Sequence, residues 1–121
     1  MANPILLTAG GPLSQAGSAE FTAAGVAQVE LGPVPPGQVW LITRMTVSTS
    51  GSDDPMPTCS VYDGSVSAQN LLDATYTGSQ DVSDFGQPYI LQSAESLVFR
   101  WEGGTPGEKA TARLVGRSQV A

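Results

Sequence analysis

The sequence predicts an all-β domain, an antiparallel β-sandwich or jelly roll of seven to eight strands over residues 19–121, with an extended N-terminal arm over residues 1–18. Three observations predict it. The run Gln38–Thr49, QVWLITRMTVST, alternates apolar and polar groups with the period of a strand. Only 13% of residues are charged, which leaves Ser, Thr, Gln, Asn and Gly to carry most of the water-facing surface. Such a surface suits pleated sheets, whereas Lys, Glu and Arg dominate exposed helices. Gly- and Pro-rich turns recur at intervals of roughly 8 to 15 residues, the punctuation of packed short strands.

Met1–Ser18, MANPILLTAGGPLSQAGS, lacks charge, and Pro4 and Pro12 forbid a regular helix through it. It reads either as a floppy leader or as an arm that becomes ordered on a neighbouring subunit, with Ile5, Leu6, Leu7 and Leu13 as anchors. Phe21–Leu31 reads as a strand with Ala27, Val29 and Leu31 on one face, and the stiff turn GPVPPG at Gly32–Gly37 ends it. In Gln38–Thr49 the alternation places Val39, Leu41, Met45 and Val47 on one face with Thr43. Trp40, Ile42, Arg44, Thr46 and Ser48 fall on the other. Trp40 is weighed as a core residue or as an interface platform, and Tyr89 as an aromatic interface anchor.

Ser50–Pro57 reads as a loop, Thr58–Tyr62 as a short strand, and Asp63-Gly64 as a turn. A strand is expected around Leu71 and Leu72, a loop over Gly78–Gly86, and another strand from Pro88 to Leu91. The turn SAE at Ser93–Glu95 leads into Ser96–Glu102, SLVFRWE, where Leu97, Phe99 and Trp101 share one face and Val98 and Arg100 the other. GGTPG at Gly103–Gly107 reads as a tight hairpin connection. Lys109–Val115 is the last strand, with Leu114, Ala110 and Ala112 on one face, and Gly116 ends it.

Composition removes whole classes of function. The chain has 121 residues, about one domain, with 5 basic and 11 acidic residues and a formal charge of -6. The cations Arg44, Arg100, Lys109, Arg113 and Arg117 are scattered along the sequence, so no basic stripe for nucleic acid is expected. Cys59 is the only cysteine; it cannot form an internal disulfide and reads as a small core group. No apolar run reaches the ~20 residues of a membrane span, and no basic segment precedes Ile5–Leu7 as a secretory signal would require.

The chain has no histidine, which takes away the usual general base and the commonest metal ligand, and no GxSxG elbow occurs. No catalytic residue, cofactor or metal is expected. Three weaker motifs have plainer readings. Trp40 and Trp101 would serve as sugar-stacking rings beside the loop acids Asp53, Asp54, Asp81 and Asp84, but both lie among core-like neighbours. Asp81-Val82-Ser83-Asp84 has oxygen donors for calcium but not the spacing of a calcium loop. Gly103–Gly107 lacks the Lys-Ser/Thr of a phosphate loop.

Two segments, PPGQVWLITRMTVST at Pro35–Thr49 and LQSAESLVFRWEGGTPGEKATARLVG at Leu91–Gly116, resemble small β-sandwich virion proteins of tailed bacteriophages. The first is similar to their Gly-x-x-Trp entry to a long strand, and the second to their β-turn, strand and glycine-rich hairpin. The resemblance implies a structural, non-enzymatic role in the particle. The expected form is a capsid decoration protein, bound in many copies to the major capsid protein lattice on the outer capsid surface after assembly in the host cytoplasm. A homo-oligomer, a trimer by preference, is expected, with neither nucleic acid nor membrane as partner. The alternatives are a neck or tail component and a receptor- or carbohydrate-binding module.

Overall fold

A computed structural model of the protein describes residues 11–50, 57–75 and 80–120. Eight strands follow one another: β1 (Gly11–Glu20), β2 (Ala27–Leu31), β3 (Gln38–Thr49), β4 (Thr58–Asp63), β5 (Leu71–Thr75), β6 (Gln80–Leu91), β7 (Leu97–Glu102) and β8 (Lys109–Val120). A single 3-10 turn, Ala68–Asn70, precedes β5, and the described residues contain no α-helix. The strands form two antiparallel four-stranded sheets, β1-β8-β3-β6 and β2-β7-β4-β5, and their inner faces enclose one core. The chain is a β-sandwich.

The pairs are nested, with β1 against β8, β2 against β7, β3 against β6 and β4 against β5. Only β4 and β5 are both consecutive and paired, so every other connection crosses from one sheet to the other. The described connections gather at two ends. At one end Phe21 N donates to Glu108 O at 2.8 Å and Gly104 N to Gly25 O at 3.0 Å, tying the β1–β2 connection to the β7–β8 connection. At the other, Val34 N donates to Glu95 O and Ala94 N to Val34 O, both at 2.9 Å, and Gly64 N donates to Ser96 O. GGTPG is therefore a crossover between sheets and not a hairpin, because β7 and β8 lie in different layers.

The SLVFRWE strand behaves as its alternation requires. Leu97, Phe99 and Trp101 are wholly buried, with the two rings 6.4 Å apart, in the middle of the second sheet. Ala27, Val29 and Leu31 of β2 and Ala110, Ala112 and Leu114 of β8 face the same core, and Cys59 fills it from β4. Val98, on the outer side of β7, is also buried.

β3 departs from strict alternation. Trp40 and Ile42 point into the core, and so do Met45 and Val47, whereas Val39 and Leu41 are half-buried on the outer side. The inward set switches parity because the register shifts between Ile42 and Arg44, where β8 advances only from Gly116 to Val115. Thr43 is the extra residue of a bulge, and its Oγ1 donates to Val115 O at 3.2 Å. Gly116 makes room for the bulge: a Cβ there would lie 1.9 Å from the Leu41 carbonyl oxygen. The glycine read as the end of the last strand sits in its interior, and β8 runs on to Val120.

Other boundaries also move. Gly11–Ser18, assigned by the sequence to the arm, belong to β1, which pairs with β8 over its whole length and puts Leu13 in the core. Phe21–Val26, read as the start of a strand, is a turn in which Thr22 N donates to Val26 O. Residues 80–86, read as loop, continue into Pro88–Leu91 as the single strand β6. The strand around Leu71 and Leu72 is present, but both side chains are largely exposed, at 46% and 36%.

Candidate interaction surface

Of the residues picked out as anchors, Ile5, Leu6 and Leu7 lie outside the described residues. Leu13 is 6% exposed and Trp40 4%, both within the core of the chain. Tyr89 is half-buried in β6 opposite Ile42. Its hydroxyl donates to Asp63 Oδ2 at the end of β4, a tie between the two sheets. Burial first, and then this bond to Asp63, push the Tyr89 hydroxyl well above the ordinary tyrosine range. Tyr89 is a fastener of the sandwich. The loop acids Asp53 and Asp54 lie outside the described residues, and Asp81 and Asp84 occupy positions in β6, paired with Val47 and Arg44. Among the described residues no group of three or more His, Cys, Asp or Glu is placed to hold a metal ion, and no helix is long and apolar enough to cross a membrane.

What the strands do assemble is a surface on the outer side of the first sheet. Residues directly opposite in an antiparallel ladder share a face. The pairings Pro12↔Arg117, Arg117↔Leu41 and Leu41↔Ile90 therefore make one row across all four strands. The next outward row has Ser14, Val115 and Arg44, and the one beyond it Ala16, Arg113 and Thr46. Lys109, opposite Glu20, stands on the same side at the far end of β8.

Four of the chain's five cations thus share one face, although the sequence scatters them. Lys109, Arg113 and Arg117 recur every four residues in β8, an even spacing that returns them to one side of a strand. The bulge at Thr43 sets Arg44 beside them. Glu20 and Asp84 hold the register positions opposite Lys109 and Arg44, while Arg113 and Arg117 face neutral residues. Arg113 reaches across to β1, where Nη2 donates to Ser14 Oγ at 2.8 Å. In the row of Arg117, Leu41 beside it is half-buried, and Ile90 on the next strand is 51% exposed. Period-two spacing of the β8 cations was the signal available in the sequence; the contribution of Arg44 was hidden by the bulge.

The outer side of the second sheet differs. It carries Glu30 and Glu102, both exposed, with Arg100 between strands bonded to Glu102 Oε2 at 3.2 Å and to Gln28 Oε1 at 3.3 Å. The two broad faces of the sandwich therefore have opposite charge character. Compared with known proteins, the chain matches no protein-family model and no curated sequence.

Proposed function

We propose that this chain is a non-enzymatic structural protein of a bacteriophage virion, a decoration protein that binds the major capsid lattice in many copies from the outer surface. The observation that carries the reading is the nested strand pairing, in the orders β1-β8-β3-β6 and β2-β7-β4-β5. We read that arrangement as a ribbon folded once and rolled into two sheets, the jelly roll that recurs in viral capsid proteins. The two segments resembling phage virion proteins supply its centre. Pro35–Thr49 gives β3, and Leu91–Gly116 gives β7 and most of β8.

Such a protein works through surfaces. A partner that binds only the assembled lattice stabilises it by mass action, and many weak contacts add through multivalency. Jelly rolls also serve as lectins, but Trp40 and Trp101, at 4% and 0% exposure, offer no ring for a sugar to stack on. The test is the copy number of this chain relative to the major capsid protein, by quantitative mass spectrometry of purified particles from the genome that encodes it. Copies in a fixed lattice ratio support decoration; a handful per particle moves the protein to the neck or tail, and absence from the particle overturns the reading.

A further inference from the structure

We propose that the outer face of the first sheet is a docking surface for a second copy of this chain, which presents its acidic surface to it in a head-to-tail contact. The inference goes beyond the virion reading, because it concerns the purified chain with no capsid present.

Charge complementarity is the first argument. With Arg44, Lys109, Arg113 and Arg117 gathered on one face, the rest of a chain of net charge -6 has Arg100 as its only cation. A second copy therefore brings a surface with an acidic excess, since its opposite broad side exposes Glu30 and Glu102 against the single cation Arg100, which is bonded to Glu102. The composition of the face is the second argument. Arg117 sits between Pro12 and Leu41 in a row that ends at the exposed Ile90, with Val115 and Arg113 in the rows beyond. Arginines set among aliphatic groups make the kind of centre that protein interfaces use. Size is the third. Four strands about 4.8 Å apart and about ten residues long at about 3.4 Å each give a face of ~600 Å² before side-chain relief is counted. A standard interface buries ~800 Å² a side.

A nucleic acid fits this face less well. Arg113 and Arg117 stand about 13 Å apart along β8, whereas a duplex carries a charge every ~1.7 Å of its axis. None of the outward residues of β1, β3 and β8 is aromatic, so these three strands offer bases no ring to stack on. A contact between unlike faces is heterologous, and such contacts build rings when the rotation closes. This supplies a route from one small sandwich to a repeated assembly.

The test is sedimentation velocity of the full chain over a wide concentration range, at about 0.05 M and about 1 M salt, where the screening length falls to ~3 Å. Expected are concentration-dependent association at low salt and at least a tenfold weakening at high salt. Arg113→Glu with Arg117→Glu should abolish association, and Ile90→Asp, at an exposed position, should weaken it about tenfold with an unchanged unfolding midpoint. The double variant keeps its acidic surface, so it should still bind wild-type protein and cap its growth. A chain that stays monomeric at low salt overturns the proposal in favour of a foreign acidic partner. Association indifferent to both variants overturns it too, as does tight binding of a single-stranded oligonucleotide lost in the double variant.

Discussion

The most informative perturbation of the fold is Gly104→Ala, measured alone and with Phe21→Ala. Gly104 lies outside the left-handed region, so alanine costs nothing in backbone conformation. The obstacle is steric. A Cβ at Gly104 would stand 2.2 to 2.4 Å from Cε1, Cδ1 and Cζ of Phe21, a ring that is 3% exposed. The ring has little freedom to withdraw, since Phe21 N donates to Glu108 O at 2.8 Å and Phe21 O accepts from Gly107 N at 3.0 Å. Either the ring leaves its rotamer or the β7–β8 connection moves off the β1–β2 turn. Overpacking of this kind costs about 1 to 3 kcal/mol, and the backbone restraint places it near the top, at about 2.5 kcal/mol.

Phe21→Ala alone should cost about 4 kcal/mol, the middle of the range for emptying a buried aromatic site. In the double variant the new methyl enters space that the ring has left, and replacing glycine removes unfolded-state freedom worth about 0.5 kcal/mol. The pair together should therefore cost about 3.5 kcal/mol, a coupling of about -3 kcal/mol, against the ~0.5 kcal/mol within which independent sites add. Urea unfolding of the four proteins reads these values, with constant m confirming a shared transition. If Gly104→Ala costs the same in both backgrounds, the Phe21 ring does not occupy that space and the account of how this end of the sandwich is locked is wrong.

Two further outcomes are expected. Removing residues 1–18 takes Leu13 and most of β1 and should cost about 4 kcal/mol more than removing residues 1–10, which leaves every β1 pairing in place; equal losses from the two truncations would refute the placement of β1. The raised Tyr89 hydroxyl gives a pH dependence of definite sign. Its contribution is complete below the ordinary tyrosine value of about 10. Above that value the unfolded chain releases its proton first and stability falls. Urea midpoints followed upward from about pH 8 should fall more steeply for the wild type than for Tyr89→Phe, and identical slopes would dispose of the Asp63 tie.

Legibility followed how local the cause was. Leu97, Phe99 and Trp101 were readable because nothing interrupts the period of two between them, and their burial matches their spacing. β1 was not, because its alternation is written in Leu13, Gly17 and Ala19, too small and too sparse an apolar set to mark a strand. Its order comes from the ladder to β8, nearly a hundred residues away. The 80–86 segment was read as loop because acids and glycine break its pattern, yet β3 offers it a ladder and it extends β6. The candidate surface was half legible. The even spacing of Lys109, Arg113 and Arg117 was present in the sequence, but the face they point to was not.

By itself, then, the sequence determined the all-β class, the turns at Gly32–Gly37, Ser93–Glu95 and Gly103–Gly107, and the cores of β2, β7 and β8. These depend on side-chain period and turn chemistry, which act over a few residues. Tertiary structure alone decided which strands pair, which connections cross between sheets, and which way the first half of β3 faces. The last case shows the physical reason. A single extra residue at Thr43 reverses the parity of Trp40 and Ile42, and it is tolerated only because Gly116, 73 positions along the chain, leaves the Leu41 carbonyl room to approach.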